Sequence, residues 1–223
     1  MNDFQERLYL IFSGIFIASL VACNLIFQKF FTWNFLGLTF ELSVGIIAYP
    51  VTFLVTDLIS EIYGQKKATQ VVVAGIFASF FSLLIILVSN YVPALDSSPI
   101  NDQTFSKVFS LSGLAVLASM LAYLFAQFID IKIYHFWKKL TKGKMLWLRN
   151  NFSTFSSQFI DTFTVITLLC FFEVLSWDSF VGLVISGVVF KILIAFLDTP
   201  LLYLFVHLFR KKFNLKVGEE IEI

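Results

Sequence analysis

The sequence predicts an all-α polytopic membrane protein with six transmembrane helices and both termini in the cytoplasm. Three observations carry this. The chain is 58% hydrophobic and only 14% charged over 223 residues, against about 25% charged residues in a soluble domain. Six stretches are long and apolar enough to cross a bilayer, which takes ~20 residues. Lysine and arginine gather in alternate loops, and such a bias sets orientation.

The predicted spans are roughly 8–28, 38–60, 68–92, 109–133, 153–176 and 180–207, within one domain covering 1–223. The first apolar run exceeds the ~7–15 residues of a signal-peptide core and lacks a small-x-small cleavage site, so it reads as a retained helix. Segment 93–107, with its prolines and polar cluster, reads as a surface loop. Segment 138–150 is a basic turn. With the N-terminus inside, twelve of the sixteen Lys and Arg fall in cytoplasmic segments, and Lys29 and Lys107 alone in external loops. Both termini are therefore expected on the cytoplasmic side.

Composition also excludes. Net charge is +1, with no basic arm suited to nucleic acid. Cys23 and Cys170 lie in apolar runs, and no cluster has metal-ligand spacing, so neither a disulfide nor a metal site is expected. No H-E-x-x-H, G-x-S-x-G or P-loop motif occurs. We expect no catalytic residues, no cofactor and no self-supplied ATP chemistry.

The polar residues inside the spans point to function. A carboxylate at the bilayer centre costs roughly 2.5–3.5 kcal/mol on an insertion scale. Asp57 and Glu61, four apart, share one helical face. They form either a pair facing a polar cavity or an interfacial pair, and Glu61 is the closer of the two to the cytoplasm. Gln127 and Asp130 lie at a similar depth in the fourth span, Gln158 and Asp161 in the fifth, and Asp198 in the sixth. The spans thus bring carboxylates from four helices into one layer in the cytoplasmic half. Lys191, the cation well inside a span, requires a carboxylate partner, with Asp161 and Asp198 as candidates. Pro50 and Pro200 fall mid-span, where lost backbone hydrogen bonds mark either a cavity or a simple packed kink.

Two long motifs carry a family resemblance. YPVTFLVTDLISEIYG at 49–64, and KLTKGKMLWLRNNFSTFSSQFIDTFTVI at 139–166, resemble signatures of the queuosine precursor transporter family, with Asn24, Lys29 and the FIDIKIY of the fourth span alongside. The resemblance implies an importer of 7-cyano- or 7-aminomethyl-7-deazaguanine, or of queuine, in the bacterial cytoplasmic (inner) membrane. The implied partners are a small heterocyclic base and the lipid bilayer, and monomer and homodimer both stay open. A guanine-like edge presents adjacent N–H donors, which suit a carboxylate. The candidate substrate-binding or translocation residues are Asn24, Thr56, Asp57, Glu61, Gln127, Asp130, Gln158, Asp161, Thr162, Lys191 and Asp198. Alternatives are a binding subunit served by a separate ATPase, and an intramembrane aspartyl enzyme. The enzyme would need more than these residues offer, since the G-x-G-D motif is absent.

Overall fold

The computed structural model describes residues 3–27, 29–35, 38–109, 113–173 and 175–221. Residue 28 of the first predicted span, residues 110–112 of the fourth and residue 174 of the fifth lie outside the described residues. Seven α-helices and a two-stranded hairpin make up the fold among those residues. They are α1 (Asp3–Ile26), β1 (Phe30–Phe35), β2 (Leu38–Ser43), α2 (Tyr49–Ile62), α3 (Gly64–Asn90), α4 (Asp102–Phe109), α5 (Gly113–Leu140), α6 (Leu146–Phe171) and α7 (Phe180–Phe213).

Five segments among the described residues are long and apolar enough to cross a membrane: α1, α3, α6, α7, and the stretch Val44–Ile62 that contains α2. The protein is a polytopic membrane protein. Their outward faces carry large exposed apolar side chains, such as Phe77, Phe81 and Leu84 on α3 and Leu197 and Leu204 on α7. Such surface is costly against water and neutral against lipid tails.

The predicted second span differs from the structure. Phe30–Phe35 and Leu38–Ser43 pair as antiparallel strands, with Thr32 opposite Glu41 and Phe30 opposite Ser43. Aromatic and β-branched residues alternate with polar ones there, which suits a half-buried strand. Phe40 and Leu42 point inward onto Phe190 of α7. A 3-10 turn, Val44–Ile47, then leads into α2, capped by the Ser43 hydroxyl, which accepts from Gly45 N. Pro50 therefore does not break a helix mid-span. It occupies the first turn of α2, where its missing N–H costs no bond and its fixed φ suits helix entry. Pro200 does lie inside α7.

At about 1.5 Å rise per residue, the 14-residue α2 is only about 21 Å long. It is the enclosed helix of the bundle: every residue from Val55 to Ile62 is buried, and it packs against α1, α3, α5 and α7. Phe16, Ile59, Ile62, Val71, Val72 and Leu202 form its fully covered apolar surroundings. Gly75 permits the close approach of α3 to α1, since a Cβ there would stand 2.7 Å from Phe16 Cε1 and 2.9 Å from Leu20 Cδ2. Helices α5 and α6 pack along their length, joined by a tight turn containing Gly143 at φ +75°.

Candidate functional site

The polar residues sort into three levels along the bundle axis. The first is a cavity of about 200 Å³ below the hairpin, walled by α1, the hairpin, the start of α2, and α6 and α7. Asp161 of α6 stands in its wall, half encircled. Lys191 Nζ of α7 donates to Asp161 Oδ2 at 2.6 Å, and Tyr49 OH donates to the same oxygen at 2.5 Å. The Lys191 ammonium also sits 4.2 Å from the centre of the Tyr49 ring, a cation–π contact that helps hold a charge out of water. Gly187 lets α7 reach α6 here, because a Cβ would stand 2.9 Å from Thr162 Cγ2.

Three polar atoms of this cavity wall have no protein partner: Asn24 Nδ2, Asp161 Oδ1 and Thr162 Oγ1. A buried polar group without a hydrogen bond costs about 1–3 kcal/mol, and unmet groups of this kind deserve an explanation. These buried atoms, on three residues that line one small space, have hydrogen-bonding capacity to spare for a polar heterocycle. Tyr49 and Tyr123, with ring centroids 5.4 Å apart in edge-to-face contact, supply an aromatic wall. Leu20, Phe27, Ile46, Val165 and Ile166 add apolar wall, and Glu41 and Ser43 line the hairpin side.

The second level lies deeper. Gln127 Nε2 donates to Tyr123 OH at 2.7 Å, so Gln127 reaches the cavity only through that ring. Ser157 Oγ donates to Asp130 Oδ1 at 2.9 Å, while Asp130 Oδ2 and Asp57 Oδ1 are buried without a partner. Gln158 and Asp198 line a small recess beside Tyr49 and Lys191. Thr56 is turned away from any of these groups, donating to its own helix at Thr52 O and Phe53 O, both 3.0 Å.

The third level closes the opposite end. Glu61 is not at a wet interface: it has no exposed surface, and neither has Arg149. Arg149 Nη2 and Nε donate to the two Glu61 oxygens at 2.7 and 3.2 Å, Tyr134 OH donates to Glu61 Oε2 at 2.8 Å, and Arg210 Nη2 donates to Oε1. Lys138 Nζ donates to the carbonyls of Ser60 and Glu61 at 3.3 and 3.1 Å and to Glu220 Oε1 at 2.7 Å. The amide of Ile221 donates to Ile62 O at 2.8 Å. Helix α2 thus ends buried with its last carbonyls met by a lysine and by the segment after α7, as such an end requires.

The structure therefore joins Asn24, Asp161, Thr162 and Lys191 in one cavity, places Asp57, Gln127, Asp130, Gln158 and Asp198 beneath it, and separates Glu61 from both. The single acidic layer expected from helix depth is instead divided between these levels, because α2 is short and ends buried. Tyr49 and Tyr123 were not among the sequence candidates. The signal for Tyr49 was its place at the head of the YPVTF motif; for Tyr123, one turn before Gln127, there was none. Arg149, Lys138 and Arg210 were counted as cytoplasmic charges, and only their burial discloses their partner.

A helical membrane protein with an internal cavity that holds a buried lysine–carboxylate pair, and a separate buried ion-pair cluster around Glu61, has the form of a membrane transport protein. Comparison with known proteins agrees. The family described as "Putative vitamin uptake transporter" matches residues 43–205. A Bacillus subtilis (strain 168) protein named "Probable queuosine precursor transporter" is 30% identical over 175 residues, 77% of this chain and 74% of that one. No solved structure matches. The chain belongs to this transporter family.

Proposed function

We propose that the chain is a single-domain secondary transporter that imports a 7-deazaguanine precursor of queuosine across the bacterial cytoplasmic membrane. The relative's name supplies the substrate class. The observation that carries the reading to particular residues is Asp161, a carboxylate in the cavity wall with one oxygen held by Lys191 and Tyr49 and the other buried without a partner. Asp161 Oδ1 accepts N–H donors of the guanine-like edge, Asn24 Nδ2 donates to its carbonyl, and Tyr49 and Tyr123 face the rings. A cavity of about 200 Å³ is smaller than the ~300–1,000 Å³ typical of drug-sized ligands, which suits one small bicyclic base.

Topology follows from the loop charges. Helix α5, 28 residues and about 42 Å long, is the sixth span, and both termini are cytoplasmic. The cavity then opens outward and the Glu61 cluster closes the inner side. Transport requires that seal to part while the hairpin end closes. Asp57, Asp130, Gln158 and Asp198 form the polar path between.

The test is uptake of labelled deazaguanine bases by cells that cannot make them, with and without the chain, followed by the lone protein in vesicles lacking any ATPase. Uptake in both supports the reading. Failure with every base removes the substrate class. Uptake in cells but not in vesicles transfers the energy source to a separate ATPase partner.

A further inference from the structure

A second cavity, about 580 Å³, lies at the sealed end on the outside of the bundle, between the α5–α6 turn and the last turns of α7. Its charged lining is of one sign. Lys144 comes from the turn and Arg210 and Lys211 from α7, with the His207 imidazole beside them, while no carboxylate lines it. Lys144, His207 and Lys211 are exposed, and among the described residues no carboxylate stands within ion-pair distance of them. Arg210 spends one amine on Glu61, and its Nε is buried without a partner.

Two further features converge on the same space. Helix α6 begins at Leu146 with no side-chain cap from Met145, so the positive end of its dipole adds to the field. Tyr203 OH accepts from Trp147 N at 3.1 Å, which ties α7 to that helix start. Beside the groove, Met145, Trp147 and Tyr203 are 53%, 46% and 42% exposed. Tryptophan and tyrosine with a rim of cations are the furnishings of the membrane–water boundary. The groove thus stands at headgroup level with apolar surface next to it.

We propose that this groove binds the phosphate of an anionic membrane phospholipid, whose acyl chains lie along the exposed side of Met145, Trp147 and Leu204. Basic pockets between membrane helices take such headgroups. A zwitterionic lipid carries its own cation and gains less from a groove of one sign. A free phosphate has no use for the apolar rim. The bound headgroup lies against Arg210, the groove residue that also holds Glu61.

The experiment uses purified full-length protein in neutral detergent, with bound lipid counted by native mass spectrometry and thermal unfolding followed as lipid is added. Phosphatidylglycerol is expected to remain bound and raise the unfolding temperature; phosphatidylcholine and inorganic phosphate are expected to do neither at equal concentration. The double variant Lys144→Gln/Lys211→Gln is expected to weaken phosphatidylglycerol binding roughly 30-fold, at about one Lys per kcal/mol near an anionic headgroup. Both lysines are exposed, so the variant keeps its fold, and Lys66→Gln/Lys139→Gln, exposed and outside the groove, controls for net charge. Equal binding of phosphatidylcholine, an equal response to inorganic phosphate, or unchanged binding by the double variant would each overturn the assignment. None of these readouts depends on what the protein transports.

Discussion

Arg149 of α6 grips Glu61 of α2 with two arms of its guanidinium across 88 residues of sequence, neither side chain exposed at all. The pair is bidentate, the geometry in which arginine holds carboxylates best. With Arg210, Lys138 and Tyr134 on the same carboxylate, it is the buried bolt that holds the sealed end together.

Cutting that bolt from either side should destabilise the protein. Removing one member of a buried ion pair costs about 3–5 kcal/mol, because the other is left uncompensated. Arg149→Ala and Glu61→Gln are both expected to lower the unfolding temperature in detergent strongly. Arg149→Lys should fail to restore it, since an ammonium cannot make the paired contact. A Glu61→Gln protein with unchanged melting would show that the cluster is not structural.

The segment after α7 is predicted to be docked against this bolt. Gly143 at φ +75° admits the segment because a Cβ would stand 2.5 Å from Gly218 Cα. Gly143→Ala should displace it, exposing Ile221 and freeing Glu220 from Lys138. Limited proteolysis reads this: cleavage within 214–221 should speed up in the variant and stay slow in the parent.

In the cavity, Lys191 and Asp161 are expected to behave as a unit. Lys191→Met leaves an unpaired buried carboxylate and should lose both stability and uptake. Adding Asp161→Asn should recover most of the stability and none of the uptake. Recovery of uptake in the double variant would mean that the pair only holds the helices together.

Tyr49→Phe keeps the ring and deletes the donor to Asp161. A hydrogen bond to a charged group contributes about 1.5–3 kcal/mol, so apparent affinity for the base should fall about tenfold or more. Binding measured by isothermal titration, with no change, would place Tyr49 outside the site.

Much of this was legible in the sequence, for a physical reason. Charge inside an apolar span is expensive, so Asp161 and Lys191 had to find each other or something equivalent, and they did. The hairpin at 30–35 and 38–43 was not legible. Its aromatic residues raise hydropathy as a helix would, and only packing of Phe40 and Leu42 on Phe190 reveals the strand. Pro50 read as a break because the helix was placed too early; with α2 beginning at Tyr49 it is an ordinary first-turn proline. Arg149 was hidden by the same rule that orients the chain. The positive-inside count treats every loop cation as solvated, and burial of Arg149 and Lys138 around Glu61, with Arg210 half-buried beside them, follows from how α2 ends.

The most direct test is uptake of a labelled 7-deazaguanine base by the Asp161→Asn variant at a membrane level equal to the parent's. Abolished uptake is the predicted result. Uptake at the parent's rate would contradict the assignment of the cavity as the substrate site.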